Sequence, residues 1–491
     1  MRKWLPLVAI GLGSFMLLID ITIVNVALPA MLRDLRASFG QMQWVIDIYP
    51  LALATLLLGV GSTADVLGLK RVYVAGLVVF ALSSLAAGLS TGALMLIGAR
   101  AAQGVGAAAM FATTIALINS CYSGRDRGVA FGVWGAINGA AAAIGPVLGG
   151  ALTQGLSWRW VFFVNLPLSV LAVAISLRVL ADERLERGSP IDGLGVATFM
   201  LAAGAGAFAL TRAAEVGWRS TTLGAAALAA VGALAFIAVE RRRDRPILDL
   251  RLLARPSFSG VLAGALLLSV SAFGYLAFLS VWLQSIRGLS PIGVGLAYLP
   301  LSVVSLVVSL LTGHALAARS ARSMISIGLA LMGIGALMQA HLHAGSSWLA
   351  IEPGQVVDGV GVGLAIPVLA SAALAAAPPA RSGMAAGAVT TGRQLGYALG
   401  IAALGLLCQT RLTDTFAART GHRLSTGAAQ AVTAGRVDVV LSATPVAHRA
   451  AAELAVRSSY ASAVNATMIA AGIAGLLGAV IVVAALRPST E

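Results

Sequence analysis

Long apolar stretches recur along this chain, separated by short breaks that hold most of its charge. A bilayer core about 30 Å thick is crossed by about 20 apolar residues in a helix. Measured against that length, the pattern predicts spans at 5–31, 43–63, 72–90, 93–118, 129–153, 161–180, 191–211, 221–239, 258–283, 291–313, 324–343, 348–377, 384–408 and 461–486, fourteen in all. Two segments break the rhythm. Residues 181–257 place two extra Ala- and Gly-rich spans, with a basic loop after them, between two six-helix halves, 1–180 and 258–491. Residues 409–460 read as a long, moderately polar outer loop with a surface helix around 447–460.

Composition turns the pattern into a choice of solvent. Of 491 residues, 59% are hydrophobic and 11% charged, and mean hydropathy is +0.92. A soluble domain carries roughly a quarter of its residues charged, so the surplus apolar surface requires lipid. The 56 glycines suit helices that approach closely in a bilayer, where packing drives association. The expectation is an all-α, multi-pass membrane protein. The run from Leu5 to Met31 shows no small-residue cleavage site after a short core, so it reads as a retained first span. Cys121 and Cys408 are far apart and show no metal-ligand spacing.

The formal net charge of +14 would raise the question of nucleic acid in a soluble protein. Its placement argues for topology instead. With the N-terminus inside, Arg2, Lys3, Lys70, Arg71, Arg125, Arg127, Arg178, Arg184, Arg187, Arg381 and the run Arg241-Arg242-Arg243-Asp244-Arg245 fall on one side. The short loops opposite hold Arg33, Arg36, Arg159, Arg212, Arg219 and Arg287. An excess of basic residues marks the cytoplasmic side, which predicts both termini in the cytoplasm and no nucleic-acid partner.

Ionisable residues within spans are costly and point to function. Asp20 lies past the middle of the first span, Asp47 about one turn inside the second, and Arg100 in the fourth, followed by Gln103. Glu352 and Asp358 fall in the twelfth, Arg393 and Gln394 in the thirteenth. At 100° per residue, Arg100, Gln103, Gly104, Ala107 and Phe111 share a face. A buried guanidinium there has two readings: a structural ion pair, or a charge lining a transport cavity beside a proton-carrying carboxylate. Asp20 likewise reads either as a hydrogen-bonded helix contact or as the leading proton site, with Asp358 and Asp47 as rivals. Thr22, Asn25 and Pro29 share one face of the first helix, and Asp20 points roughly opposite. In the fifth span, Gly135, Gly139, Ala142, Pro146, Gly149 and Thr153 form a smooth stripe that fits close helix packing, and Pro146 weakens the helix there.

The ordered motifs resemble one family. Asp20-Ile21-Thr22-Ile23-Val24-Asn25-Val26-Ala27-Leu28-Pro29 is similar to the first-helix signature of the fourteen-helix drug:proton antiporters of the major facilitator superfamily. Gly61 to Arg71, with Asp65, Gly68 and Lys70, resembles the superfamily loop after the second helix, with Val66 where a basic residue is usual. Arg100-Ala101-Ala102-Gln103-Gly104 resembles the fourth-helix motif, and Gly145-Pro146-Val147-Leu148-Gly149-Gly150 the antiporter motif of the fifth. Trp158 to Pro167, Arg381 to Gly387 and Arg393-Gln394-Leu395-Gly396 fit the same pattern.

The resemblance implies a major facilitator fold, two six-helix bundles plus two additional helices, and alternating access driven by proton entry. Asp65, Gly68, Lys70, Arg71 and Asp126 would form a cytoplasmic charge latch, and Gly145, Pro146, Gly149 and Gly150 the moving interface. Asn25, Glu352, Arg393 and Gln394 are further cavity candidates. Arg393 stands where members favouring dicationic drugs carry acids.

The expected function is proton-coupled export of small lipophilic organic compounds across a bacterial cytoplasmic membrane by a monomer. One alternative is a dedicated exporter of a single endogenous metabolite. Another is a polytopic membrane enzyme, but His314, His341, His343, His422 and His448 are scattered. No phosphate-binding glycine loop with a lysine stands in the sequence, which argues against ATP as the energy source.

Overall fold

The computed structural model describes residues 2–181, 192–243, 246–315, 320–376, 382–422 and 424–486. Arg184, Arg187, Arg245 and Arg381 lie outside the described residues, as do the side chains of Arg2, Asp65 and Arg125. All regular structure among the described residues is helical. The long helices are α1 (Leu5–Asp34), α2 (Phe39–Leu67), α3 (Leu69–Gly88), α4 (Ala93–Cys121), α5 (Gly124–Gly155), α6 (Trp160–Val179) and α7 (Gly193–Val216). They continue as α8 (Ser220–Arg242), α9 (Pro256–Ile286), α10 (Pro291–Thr312), α11 (Ala321–Gln339), α12 (Glu352–Ala376), α13 (Ser382–Thr420) and α14 (Arg449–Ala485). Among the described residues, thirteen helices are long and apolar enough to cross a membrane; α2, at 29 residues, completes the expected fourteen.

Local chemistry sets several helix ends. Ser38 and Gln41 close a capping box on α2, which satisfies amide groups that the first helical turn leaves free. Ser290 caps α10 with Pro291 as its first residue, where a missing N–H costs nothing. Gly68 has φ +101°, a backbone that side chains resist. It ends α2 and lets α3 begin at the next residue.

Helices α1–α6 pack as one bundle, through α1 on α5 and α6 and through α4 on α2 and α3. Helices α9–α14 form the second, through α12 on α10 and α11 and through α9 on α13 and α14. The bundles meet along α2 with α13 and along α5 with α10. Helix α7 lies against both α2 and α13, with α8 packed on it. The apolar window of α8 is 17% buried against 67% for α1, which puts α8 at the edge of the molecule.

The buried apolar residues are divided unevenly along the helix axes. At the end away from the chain termini, one cluster unites both bundles, from Ile23, Leu28 and Met42 to Phe278, Tyr298, Ile401 and Tyr460. At the terminus end there are two clusters, one with Leu17, Tyr73 and Met110, the other with Phe258, Leu329 and Val368. The two bundles thus share a core at one end and keep separate cores at the other.

Residues 409–460 depart from the loop expected there. Helix α13 runs on to Thr420, short helices cover Thr426–Thr433 and Asp438–Ser442, and α14 begins at Arg449. At about 1.5 Å per residue, the 39 residues of α13 are much longer than a bilayer core is thick. The extension is amphipathic rather than lipid-facing, with Leu412 and Phe416 one turn apart and both buried. A ruler for apolar spans cannot register such a helix.

Candidate functional site

Asp20 reaches α4 and α6. Its carboxylate pairs with Arg100, accepts from Gln103 Nε2 at 3.0 Å and accepts from Asn165 Nδ2 at 3.3 Å. Arg100 also donates to Gln103 Oε1 at 2.9 Å and to the Val45 carbonyl at 3.1 Å, and its guanidinium lies 4.4 Å from the Tyr49 ring centre. Gln103 donates to Ser84 at 2.8 Å. The five side chains Asp20, Ser84, Arg100, Gln103 and Asn165 are all buried, and one positive charge balances one negative. Gly104 makes this closeness possible, because a Cβ there would fall 2.7 Å from the Tyr49 carbonyl. Asn25 points the other way, accepting from and donating to the Tyr397 hydroxyl on α13, as the angular spacing along α1 requires.

Asp47 is also buried, yet both its carboxyl oxygens lack a hydrogen-bond partner among the described residues. It stands at the seam between bundles. Four residues earlier, Gln43 donates to the Ile401 carbonyl across the seam at 3.4 Å, and Tyr397 lies in the field of both Asp47 and Arg100. Further along, Thr391 donates to the Ala54 carbonyl at 3.2 Å. Arg393 precedes Tyr397 by about one turn on the same face of α13; it is partly buried and its Nε has no partner. Gln394 beside it is partly buried.

Asp358 belongs to a separate network in the second bundle. Its Oδ2 accepts from the Tyr275 hydroxyl at 3.0 Å. Gln339 donates to that hydroxyl at 3.0 Å, and Gln355 donates to Gln339 at 2.9 Å. Glu352 opens α12 six residues before Asp358, partly buried, with Oε1 unpartnered.

The expected latch is only partly visible. Lys70 donates to the Leu177 carbonyl at 2.9 Å, and Asp126 pairs with Lys3 at 2.6 Å on the surface. The side chain of Asp65 lies outside the described residues. On α5, Gly145, Gly149 and Gly150 are placed. Gly145 leaves room for Thr22, and a Cβ on Gly149 would fall 2.8 Å from the Ile23 carbonyl. On its other side, a Cβ on Gly150 would meet the Pro291 carbonyl at 2.5 Å, and one on Gly295 the Pro146 carbonyl at 2.5 Å. This stripe therefore packs against its own bundle and against the other one at once.

Sequence reasoning missed Asn165, Ser84, Tyr275, Gln339 and Gln355. A signal for part of this set exists. Arg100-Ala101-Ala102-Gln103-Gly104-Val105-Gly106 in α4 is matched in α12 by Gln355-Val356-Val357-Asp358-Gly359-Val360-Gly361. The packing repeats too: a Cβ on Gly76 of α3 would fall 2.9 Å from the Gly106 carbonyl, and one on Gly328 of α11 2.8 Å from the Gly361 carbonyl.

Comparison with known proteins agrees with this geometry. The sequence pattern of the Major Facilitator Superfamily matches residues 10–193 and 186–401. Multidrug resistance protein Stp of Mycobacterium tuberculosis (strain CDC 1551 / Oshkosh) is 35% identical over 413 residues, covering 84% of this chain and 77% of that protein. The tetracenomycin C resistance and export protein of Streptomyces glaucescens is 29% identical over 490 residues, covering 98% and 91%. A bacterial homolog of the human lysosomal transporter Spinster, solved in an inward-facing and unoccupied conformation, superposes with a TM-score of 0.66 at 16% identity, covering 99% and 97%.

Proposed function

The chain belongs to the Major Facilitator Superfamily, and on that premise we propose that it exports small, lipophilic organic compounds in exchange for protons. It works as a monomer in a bacterial cytoplasmic membrane, with both termini in the cytoplasm. The observation that carries the coupling is Asp47, a buried carboxyl without a partner at the seam of the two bundles.

An ionised carboxylate held in a protein interior without a counter-charge costs several kcal/mol. A proton on Asp47 removes that cost while the seam is closed around it. When the bundles rock, water reaches Asp47 from one side and then the other, so the proton loads outside and leaves inside. A compound bound between Asn25, Tyr397 and Arg393 travels the opposite way. Asp20 has its counter-charge in Arg100, and with Asn165 the pair ties α1, α4 and α6 together. The bundles keep separate apolar cores at the terminus end, which is the cytoplasmic side on this reading, and substrate enters from there. The packing of α5 on α1 and α10 is the pivot, and Asp65, Gly68, Lys70, Arg71 and Asp126 form the latch of the opposite state.

Inverted vesicles acidified inside, loaded with a pH-sensitive dye, test this reading. Addition of lipophilic drugs should release luminal protons with the intact protein and not with Asp47→Asn. Unchanged release from Asp47→Asn would remove Asp47 from the coupling. The near full-length match to the tetracenomycin C resistance and export protein supports a second reading, a dedicated exporter of one compound. On that reading a broad drug panel releases no protons and a single compound does.

A further inference from the structure

The two bundles contain the same polar arrangement with different charges. Helices α3 and α4 pack through Gly76 and Gly106, helices α11 and α12 through Gly328 and Gly361. With those glycines matched, Gln103 corresponds to Asp358, and Arg100 to Gln355. Asp20 on α1 has its counterpart in Tyr275 on α9, the first helix of its bundle. The first network holds a carboxylate and a guanidinium. The second has kept a carboxylate and lost the guanidinium.

Two acceptor oxygens are left over in the second network: Asp358 Oδ1 and Gln355 Oε1 are buried and have no donor among the described residues. Both side chains are fully shielded from solvent, as are Tyr275 and Gln339. No cation among the described residues acts on Asp358. The groups around it are Tyr275 from α9, with Tyr298 beyond it, the neutral Gln339 from α11, and Leu301 of α10 against Gly359. Helix α11 presses directly on the Asp358 backbone, since a Cβ on Gly335 would fall 2.7 Å from its nitrogen.

We infer that Asp358 is a second proton site, in the C-terminal bundle, holding its proton on Oδ1 in place of the guanidinium that Arg100 supplies in the N-terminal bundle. Binding forms one O–H bond, cancels the single negative charge and converts an orphan acceptor into a donor. Its participation in transport rests on the antiport reading above.

Infrared spectroscopy of the purified, lipid-reconstituted protein tests the site without any transport. At neutral pH the intact protein should show the C=O band of a protonated buried carboxylic acid. Asp358→Asn should lose one such band, and Asp47→Asn should leave that band in place. Gln355→Arg restores the missing guanidinium and should also abolish the band by ionising Asp358, which keeps the test open where Asp358→Asn fails to fold. An unaltered spectrum in Asp358→Asn and Gln355→Arg would overturn the inference, and so would a band that appears only after sodium is removed. An intact band in a protein that exchanges no protons for any compound would sink the antiport reading and leave the proton site standing.

Discussion

The two buried networks, one in each bundle, sit on corresponding helices and obey different electrostatics. Around Asp20 every carboxylate oxygen is engaged and the charge is balanced by Arg100. Around Asp358 one oxygen is engaged, and the other has no hydrogen-bond partner and no counter-charge among the described residues. A charge-balanced ion pair is expensive to open, because removing one partner strands the other. An unbalanced one changes its protonation state instead. On the reading proposed above, the contrast separates a fastener from a switch, although both announce themselves in sequence as an acid inside a membrane span.

The largest effect expected from this contrast is in the N-terminal network. Arg100→Leu leaves Asp20 buried and unpaired and should cost about 3–5 kcal/mol, read as a marked loss of thermal stability in detergent. Next come Gly76→Val and Gly328→Val. Each forces a side chain into an equivalent helix contact, so the two should destabilise by similar amounts, about 1–3 kcal/mol; unequal losses would deny that the two helix pairs correspond. Tyr275→Phe removes the hydroxyl shared by Asp358 and Gln339 and should cost about 1 kcal/mol. The smallest change belongs to Asp358→Asn, which keeps an acceptor for Tyr275 and should stay within about 1 kcal/mol. If Asp358→Asn destabilises as much as Arg100→Leu, the two networks do the same job and the contrast is broken.

Much of the helical layout was legible because a lipid core imposes one length on every span. The exception, residues 409–460, follows from the same rule: Leu412 and Phe416 are buried by protein outside any apolar run, where hydropathy is mute. The depth of Asp20 and Asp358 was equally legible, and so was the opposed direction of Asp20 and Asn25 on α1; Asp47, one turn inside its span, is as buried as either. Partners were not. Arg100 and Asn165 lie 80 and 145 residues from Asp20, and helix periodicity gives a face without naming what meets it. The correspondence between α4 and α12 is faint in the sequence because only the glycines and one valine are shared. Those glycines fix backbone proximity, while the polar positions before them have diverged in charge. What distinguishes Asp47 from Asp20 is therefore the presence of a counter-charge, a property of packing between helices.

The most direct test compares two modes of transport in proteoliposomes containing Asp47→Asn. Exchange of labelled for unlabelled compound needs alternating access and no net proton movement, whereas uphill accumulation against a gradient needs the proton. Asp47→Asn should retain exchange and lose accumulation driven by a pH gradient. Accumulation at the level of the intact protein would contradict the assignment of proton coupling to Asp47.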